Sequence, residues 1–594
     1  MTRTTLCSSR LRRVATLMLL TALCLTGLAT SAAGSRSTRA PAAPAAKAGG
    51  LIVRARPGRE AQAEALVQRL GGTVRLRLRI INGFSASLPA RALAQLRSSA
   101  DILSVTRNRS LQPQSSSYSA AYDPSSDPYS MSSITQLTGA RAWWNAGYTG
   151  QGVDVALIDS GVSPVQGLSG AGKVINGADL SLESQAPNLR YLDTYGHGTF
   201  MAGLIAGRDA APNSQAPAST YLGMAPDARI VSLKVATADG GADISQVIAA
   251  VDWVVQHRTD NGLNIRVINL SYGTNSLQDY KSDPLAFAVE QAWKKGIVVV
   301  AASGNTGFQK GKGAPGLADP AFDPYVIGVA AADTMGTTDL KDDVVASYSA
   351  SSCGGGACKN PDYTAPGSHM QGLRDPNSFI DANHPEGFLS SRYFRGSGTS
   401  EATAIASGAI ALVLQKYPNL TPDQVKRLFQ QSARNMDKQP PEAQGAGEIQ
   451  LGPMLGKPPP GPFNQNFPNS NGKGSIEGAR GQDHLTRNNV TLSGEKDIFG
   501  VAIATGSLAS AEAAGTSWSG GSWNGTSWSG TSWSGTTWSG TTWSGNSWSG
   551  SSWSSSTWTG NSWSGTSWSS ANWSGASWSG NSWTGGSWAG AFWG

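Results

Sequence analysis

Val153-Asp-Val-Ala-Leu-Ile-Asp-Ser-Gly161 reads as a short buried strand that stops on an acid and a turn. Short Val/Ile runs bounded by turn residues mark strands covered on both faces. Runs of the same kind recur at Ile230–Val235, Val267–Leu270 and Ile297–Ala302. Helical stretches, Ile244–Arg258 and Asp283–Lys295, lie between them. Strands alternating with helices over residues 131–436 predict an α/β fold: a mostly parallel sheet covered by helices on both faces. Active groups in such folds gather at the carboxyl ends of the strands. Asp159 stands immediately after one.

Two further segments supply what a carboxylate alone cannot do. Gly196-His-Gly-Thr-Phe-Met-Ala-Gly203 offers a histidine between glycines, the one of five histidines so placed. Gly398-Thr-Ser-Glu-Ala-Thr-Ala404 opens a small-residue helix, Thr399–Lys416, on a serine. A serine hydroxyl attacks a carbonyl poorly until a base takes its proton, and the base works best when a carboxylate holds it. The helix start adds free N–H groups and positive potential beside a developing oxyanion. Taken singly, Asp159 is a turn former, His197 a helix start and Ser400 an N-cap. Taken together, in the order Asp, His, Ser, they are candidates for acid, base and nucleophile.

On these motifs, residues 131–436 resemble a subtilisin-family (subtilase) serine endopeptidase domain. The resemblance implies that Ala301-Ala-Ser-Gly-Asn305 carries the second oxyanion donor, Asn305, beside the backbone N–H of Ser400. It also implies that Ser271-Tyr-Gly273 and Ala301-Ala-Ser-Gly304 (Ser271, Tyr272, Gly273, Ala301, Ala302, Ser303 and Gly304) form the two walls of the first specificity pocket. Both walls are small or apolar and hold no acid, which favours apolar or aromatic P1 side chains. Two motifs depart from the family pattern. Phe200-Met201 replace His-Val after the histidine motif, and Glu401 replaces Met after the serine. Neither removes a catalytic group, but Glu401 sets a carboxylate beside the nucleophile. The chemistry requires no cofactor. Family members often bind structural calcium, for which no ligand set can be matched in this sequence.

The chain has 594 residues, and its composition divides it. Residues 1–34 read as a secretory signal: Arg3, Arg10, Arg12 and Arg13 precede an apolar run from Val14 to Leu28, and Ser31-Ala-Ala33 offers a cleavage site. That run is shorter than the roughly 20 apolar residues of a spanning helix. An Ala/Pro spacer covers residues 35–50. Residues 51–112 follow a β-α-β-β-α-β pattern, a small ferredoxin-like α+β unit. Placed before the protease motifs, it resembles the inhibitor-type propeptide of the family, an intramolecular partner of the enzyme. Residues 113–130 read as a processing linker. Residues 1–50 carry seven Arg and Lys with no acid, and residues 51–112 carry eleven Arg against three acids. With +7 for the whole chain, residues 113–594 are left at −8. The basic character lies in segments expected to be removed, so no nucleic-acid partner is expected. Export also bears on Cys353 and Cys358, which enclose Gly-Gly-Gly-Ala: they read as a disulfide or, alternatively, as two free thiols.

Residues 437–515, rich in Pro, Gly, Asn and Gln, read as a linker. The last segment, residues 516–594, holds sixteen Trp at a strict spacing of five and not one Asp, Glu, Lys or Arg. Two readings compete for it. One is a four-sided β-coil of 20 residues per turn, similar to pentapeptide-repeat β-helices; the other is low-complexity disorder. Exposed rings would suit cell-wall, polysaccharide or self-association contacts. The whole reads as a secreted (extracellular), self-processing serine protease, with cell-envelope association through the tail.

Overall fold

The computed structural model describes residues 50–517 apart from 79–80, 108–121, 187, 309–315, 354–357, 458–459, 488–489, 499, 501 and 516, together with backbone strands between residues 527 and 593. The proposed signal, the spacer up to residue 49 and the first half of the proposed processing linker, residues 113–121, lie outside the described residues.

The amino-terminal unit is built from β1 (Leu51–Ala55), α1 (Glu60–Arg69), β2 (Thr73–Leu78), β3 (Gly83–Ser87), α2 (Leu93–Arg97) and β4 (Ile102–Arg107). Its strands form an antiparallel sheet in the order β2-β3-β1-β4. Alternation along β1 buries Leu51, Val53 and Ala55. They pack with Ala63 and Val67 of α1, Phe84 of β3 and Leu96 of α2 in a core of their own.

The second unit opens with two short helices, α3 (Met131–Leu137) and α4 (Ala140–Asn145), and then enters the sheet. The strands are β5 (Asp154–Asp159), β6 (Val174–Asp179), β7 (Arg229–Lys234), β8 (Ile265–Leu270), β9 (Val298–Ala302), β10 (Ile327–Asp333), β11 (Val344–Val345) and β12 (Tyr363–Pro366). Their order is β11-β10-β9-β8-β5-β7-β6, with β12 beside β10. Every pairing is parallel except that of β11 with β10. β5 is buried along its whole length, its apolar Val155–Ile158 run flanked by two buried acids, Asp154 and Asp159. The chain runs outward from β5 first to one side, through β6 and β7, and then to the other, through β8, β9 and β10. The carboxyl end of β5 is therefore the switch point where such sheets place their sites.

Helices α5 (His197–Ala206), α6 (Ile244–His257), α7 (Pro284–Lys294), α8 (Phe379–Asn383), α9 (Thr399–Lys416) and α10 (Pro422–Ser432) belong to the unit, with a hairpin of β13 (Met370–Leu373) and β14 (Tyr393–Gly396). α9 is buried from Thr399 to Leu414, a helix enclosed on all sides. Small residues permit this: Gly408 lies where a Cβ would approach the Met224 side chain to 2.5 Å.

Residues 437–515 do not form the free linker their composition suggests. Ile449, Leu451, Met454, Ile476 and Ala479 belong to the same buried core as the sheet. The Trp143 indole donates to the Leu451 carbonyl at 2.9 Å, and buried Arg480 pairs with Asp243, the N-cap of α6, at 2.6 Å. Long-range packing, invisible to composition, holds the segment.

In the tail, strands pair in parallel at an offset of three pentapeptides. Trp528, Trp543 and Trp558 stand at successive register positions, as do Trp533, Trp548, Trp563, Trp578 and Trp593. Trp538, Trp553 and Trp568 form a third such series. The repeat is thus a 15-residue coil and not the four-sided 20-residue coil expected from the period. An offset of 15 still sets each repeat position against its like, so the ladder closes with one pentapeptide fewer per turn.

Candidate active site

Asp159 ends β5, and its carboxylate is almost wholly enclosed, with 6% of the side chain exposed. Oδ1 accepts the Ser160 backbone N–H at 2.8 Å and the His197 Nδ1–H at 2.8 Å. Oδ2 lies 2.9 Å from the same ring nitrogen. With Nδ1 committed as donor, Nε2 is the nitrogen left to accept a proton.

His197 is the first residue of α5, and Asp193, Ser160 and Gly198 set its position. Asp193 accepts the backbone N–H groups of Gly196 at 2.7 Å and Thr199 at 2.7 Å, capping the helix start. Ser160 reaches Asp193 at 2.8 Å and accepts the Gly198 N–H at 2.9 Å. Gly198 must lack a side chain, because a Cβ there would run into the Gly161 carbonyl oxygen. Burial pulls the His197 imidazole down, but Asp159, with Glu401 and Asp193 at longer range, outweighs it and lifts the group to about 9.

Ser400 is the second residue of α9. Its backbone N–H lies in the first turn, where helices leave donors without an intrahelical partner. Its hydroxyl donates to the Ser271 carbonyl at 3.5 Å, and Ser271 Oγ returns a bond to the Ser400 carbonyl at 3.2 Å. Ser400 and His197 line one cavity; among the described residues no hydrogen bond joins their side chains directly. Such bonds are commonly loose before substrate binds. Asn305 lines the same cavity. Its Oδ1 accepts the Thr399 N–H at 2.9 Å and the Thr399 hydroxyl at 3.0 Å. An N–H needs an acceptor, so the amide orientation is chemically determined and Nδ2 is the donor left for an oxyanion.

Of the expected substrate walls, Ser271, Tyr272 and Gly273 follow β8, while Ala301 and Ala302 end β9, with Ser303 and Gly304 next. Ala318 stands between them: its Cβ lies 2.8 Å from where a Gly273 side chain would begin and 3.3 Å from the equivalent point at Gly304. Sequence reading did not single out Ala318, whose small size bears on the depth of that pocket. Cys353 and Cys358 are bonded to each other, with Cα atoms 5.8 Å apart. Among the described residues no group of three or more His, Cys, Asp or Glu is arranged to hold a metal ion, so no residue is assigned to calcium.

The cavity holding Ser400, His197 and Asn305 has a volume of about 460 Å³. Phe200, Met201 and Glu401, the positions that depart from the family pattern, all line it. Burial raises the Glu401 carboxyl above its ordinary range, and His197 opposes the shift.

Residues 150–447 match the sequence profile of the Subtilase family, half of the chain. Serine protease AprX of Bacillus subtilis is 37% identical over 304 residues, which cover 51% of this chain and 65% of that protein. The Thermostable alkaline protease of Halalkalibacterium halodurans is 32% identical over 308 residues, covering 52% of this chain and 69% of that protein. The crystal structure of fervidolysin from Fervidobacterium pennivorans, a keratinolytic enzyme related to subtilisin, superposes with a TM-score of 0.44 at 23% identity, over 69% of this chain and 61% of that one. The chain therefore spans just under two thirds of AprX's own length.

Proposed function

The chain belongs to the subtilase family, and from that premise we propose that it is a serine endopeptidase acting through an acyl-enzyme on Ser400. The observation that carries the reading is the convergence of His197, Ser400 and Asn305 on one cavity, with Asp159 bonded to the base behind it. Ser400 Oγ attacks the scissile carbonyl carbon while His197 Nε2 takes its proton. Asp159 stabilises the imidazolium, and the oxyanion accepts from Asn305 Nδ2 and the Ser400 N–H. Collapse breaks the C–N bond, the amine leaves with the proton from His197, and water repeats the sequence to release the acid. An oxyanion donor of this kind is worth roughly 10²–10³ in kcat.

Around this chemistry, residues 51–112 act as an inhibitor-type propeptide, residues 1–34 direct export, and the Trp repeats hold the enzyme to a cell-wall or polysaccharide surface. The small, acid-free walls at Ser271–Gly273 and Ala301–Gly304, with Ala318 between them, support apolar or aromatic P1 side chains. The experiment is labelling with a fluorophosphonate, paired with Ser400→Ala. The wild type is expected to label and to lose its propeptide, and the variant to do neither. A wild type that stays unlabelled yet still sheds residues 51–112 would overturn the enzyme reading.

A further inference from the structure

The cavity at the nucleophile has an orientation that can be read from its lining. It includes Ser400, His197 and Asn305, yet none of Ser271, Tyr272, Gly273 or Ala301–Gly304 is among its lining residues. Those walls serve the acyl part of the substrate. The cavity therefore lies across the nucleophile from them, on the side from which the amine departs.

What lies in it is Glu401. The residue is 6% exposed. Its carboxylate occupies the space above two glycines: a Cβ on Gly396 would collide with Oε1, and one on Gly398 would stand 2.7 Å from Oε2. The Phe200 ring borders the same spot, 3.0 Å from the Gly396 position. Phe200 and Glu401, both at positions that depart from the family pattern, thus meet beside Gly396. Among the described residues, no other side chain donates a hydrogen bond to the Glu401 carboxylate. The other ionisable lining groups are largely committed. Arg374 forms a two-pronged pair with Asp381, and Arg395 pairs with Asp127 at 2.9 Å. His384 pairs with Glu386 at 3.0 Å, His197 is held by Asp159, and Asp375 accepts from Ser163 at 2.8 Å.

We propose that Glu401 selects substrates carrying a lysine or arginine side chain on the residue that follows the scissile bond. The proposal rests on the peptidase reading of the site. A buried carboxylate held by its own backbone N–H, with no other side chain donating to it, is still costly when ionised, and a cationic side chain arriving in the cavity relieves that cost by a charge-assisted bond. Phe200 supplies an apolar and aromatic flank for the stem and head of such a side chain. The cavity, about 460 Å³, is large enough for a long side chain.

The test uses the mature enzyme and three peptides that differ in one place, with lysine, norleucine or glutamate after the cleaved bond. Norleucine keeps the stem and removes the charge. At alkaline pH the wild type is expected to favour lysine over norleucine by about tenfold or more in kcat/KM, and glutamate least. Glu401→Gln is expected to bring the lysine-to-norleucine ratio down to about one, with Glu401→Met as the second variant and fluorophosphonate labelling to verify an assembled site. A wild-type ratio near one overturns the proposal without any variant, and so does a ratio that survives Glu401→Gln. A wild type that neither labels nor cleaves any of the three removes the peptidase reading, and this one with it.

Discussion

His197 works against its own burial. Enclosure favours the neutral ring, yet the neighbouring carboxylates raise it to about 9. A general base must be unprotonated, so kcat/KM should climb through the alkaline range, with an acid limb well above the ordinary histidine value of about 6.5. Glu401 is one of the anions that raise the group. Glu401→Gln removes that charge, and the acid limb of the pH–rate profile should move to lower pH. A limb that stays in place would show that Glu401 has no electrostatic hold on the base. At this scale the sequence was most informative where chemistry demands a residue type in a motif, as at Asp159, His197, Ser400 and Asn305. Ser160, Asp193 and Ala318 were not legible. Their work depends on chain segments that meet only after folding, as when Asp193 reaches forward to Thr199 and sideways to Ser160.

The elements of the sheet were largely readable, because buried parallel strands leave uninterrupted Val/Ile runs. β5, β7, β8 and β9 each fall within a residue or two of their apolar segments, and α9 runs from Thr399 to Lys416 as its pattern predicts. Residues 437–515 were misread for an equally physical reason. Their apolar residues follow no clear helical or strand period, and the buried ones, such as Leu451 and Ile476, pack into a core made by distant segments. Arg480 and Asp243 make the point, since both side chains are 1% exposed. Arg480→Ala would strand the α6 cap as an unpaired buried carboxylate. Removing one partner of such a pair typically costs about 3–5 kcal/mol. A clear fall in thermal midpoint is therefore expected in a melt, and an unchanged midpoint would show that the segment is dispensable to the fold.

At the scale of the molecule, the protease unit and the Trp repeats answer to different tests. Deleting residues 516–594 should leave fluorophosphonate labelling of Ser400 intact, because every residue assigned to the chemistry lies upstream. The same deletion should abolish pull-down on isolated cell wall. Wall binding that persists without the tail would end its assignment as the attachment element. The period of five was visible in the sequence, but the number of words per turn was not, since that is set by strand pairing. Three pentapeptides complete a turn, and the pairing sets Trp548 against Trp563 and Trp563 against Trp578.

That pairing has a consequence for how the tail can change length. All three words of a turn share one pattern with Trp at its centre, so a gene that gains or loses one word moves every later word one place around the turn. Each Trp position still meets another Trp position in the coil below. Copy number is therefore free to drift, one word at a time, without cost to the ladder. A single inserted residue is another matter. It would set the Trp positions of the following turn opposite a Ser or a small residue, until both partners of a pair lie past the insertion and the ladder regains its register.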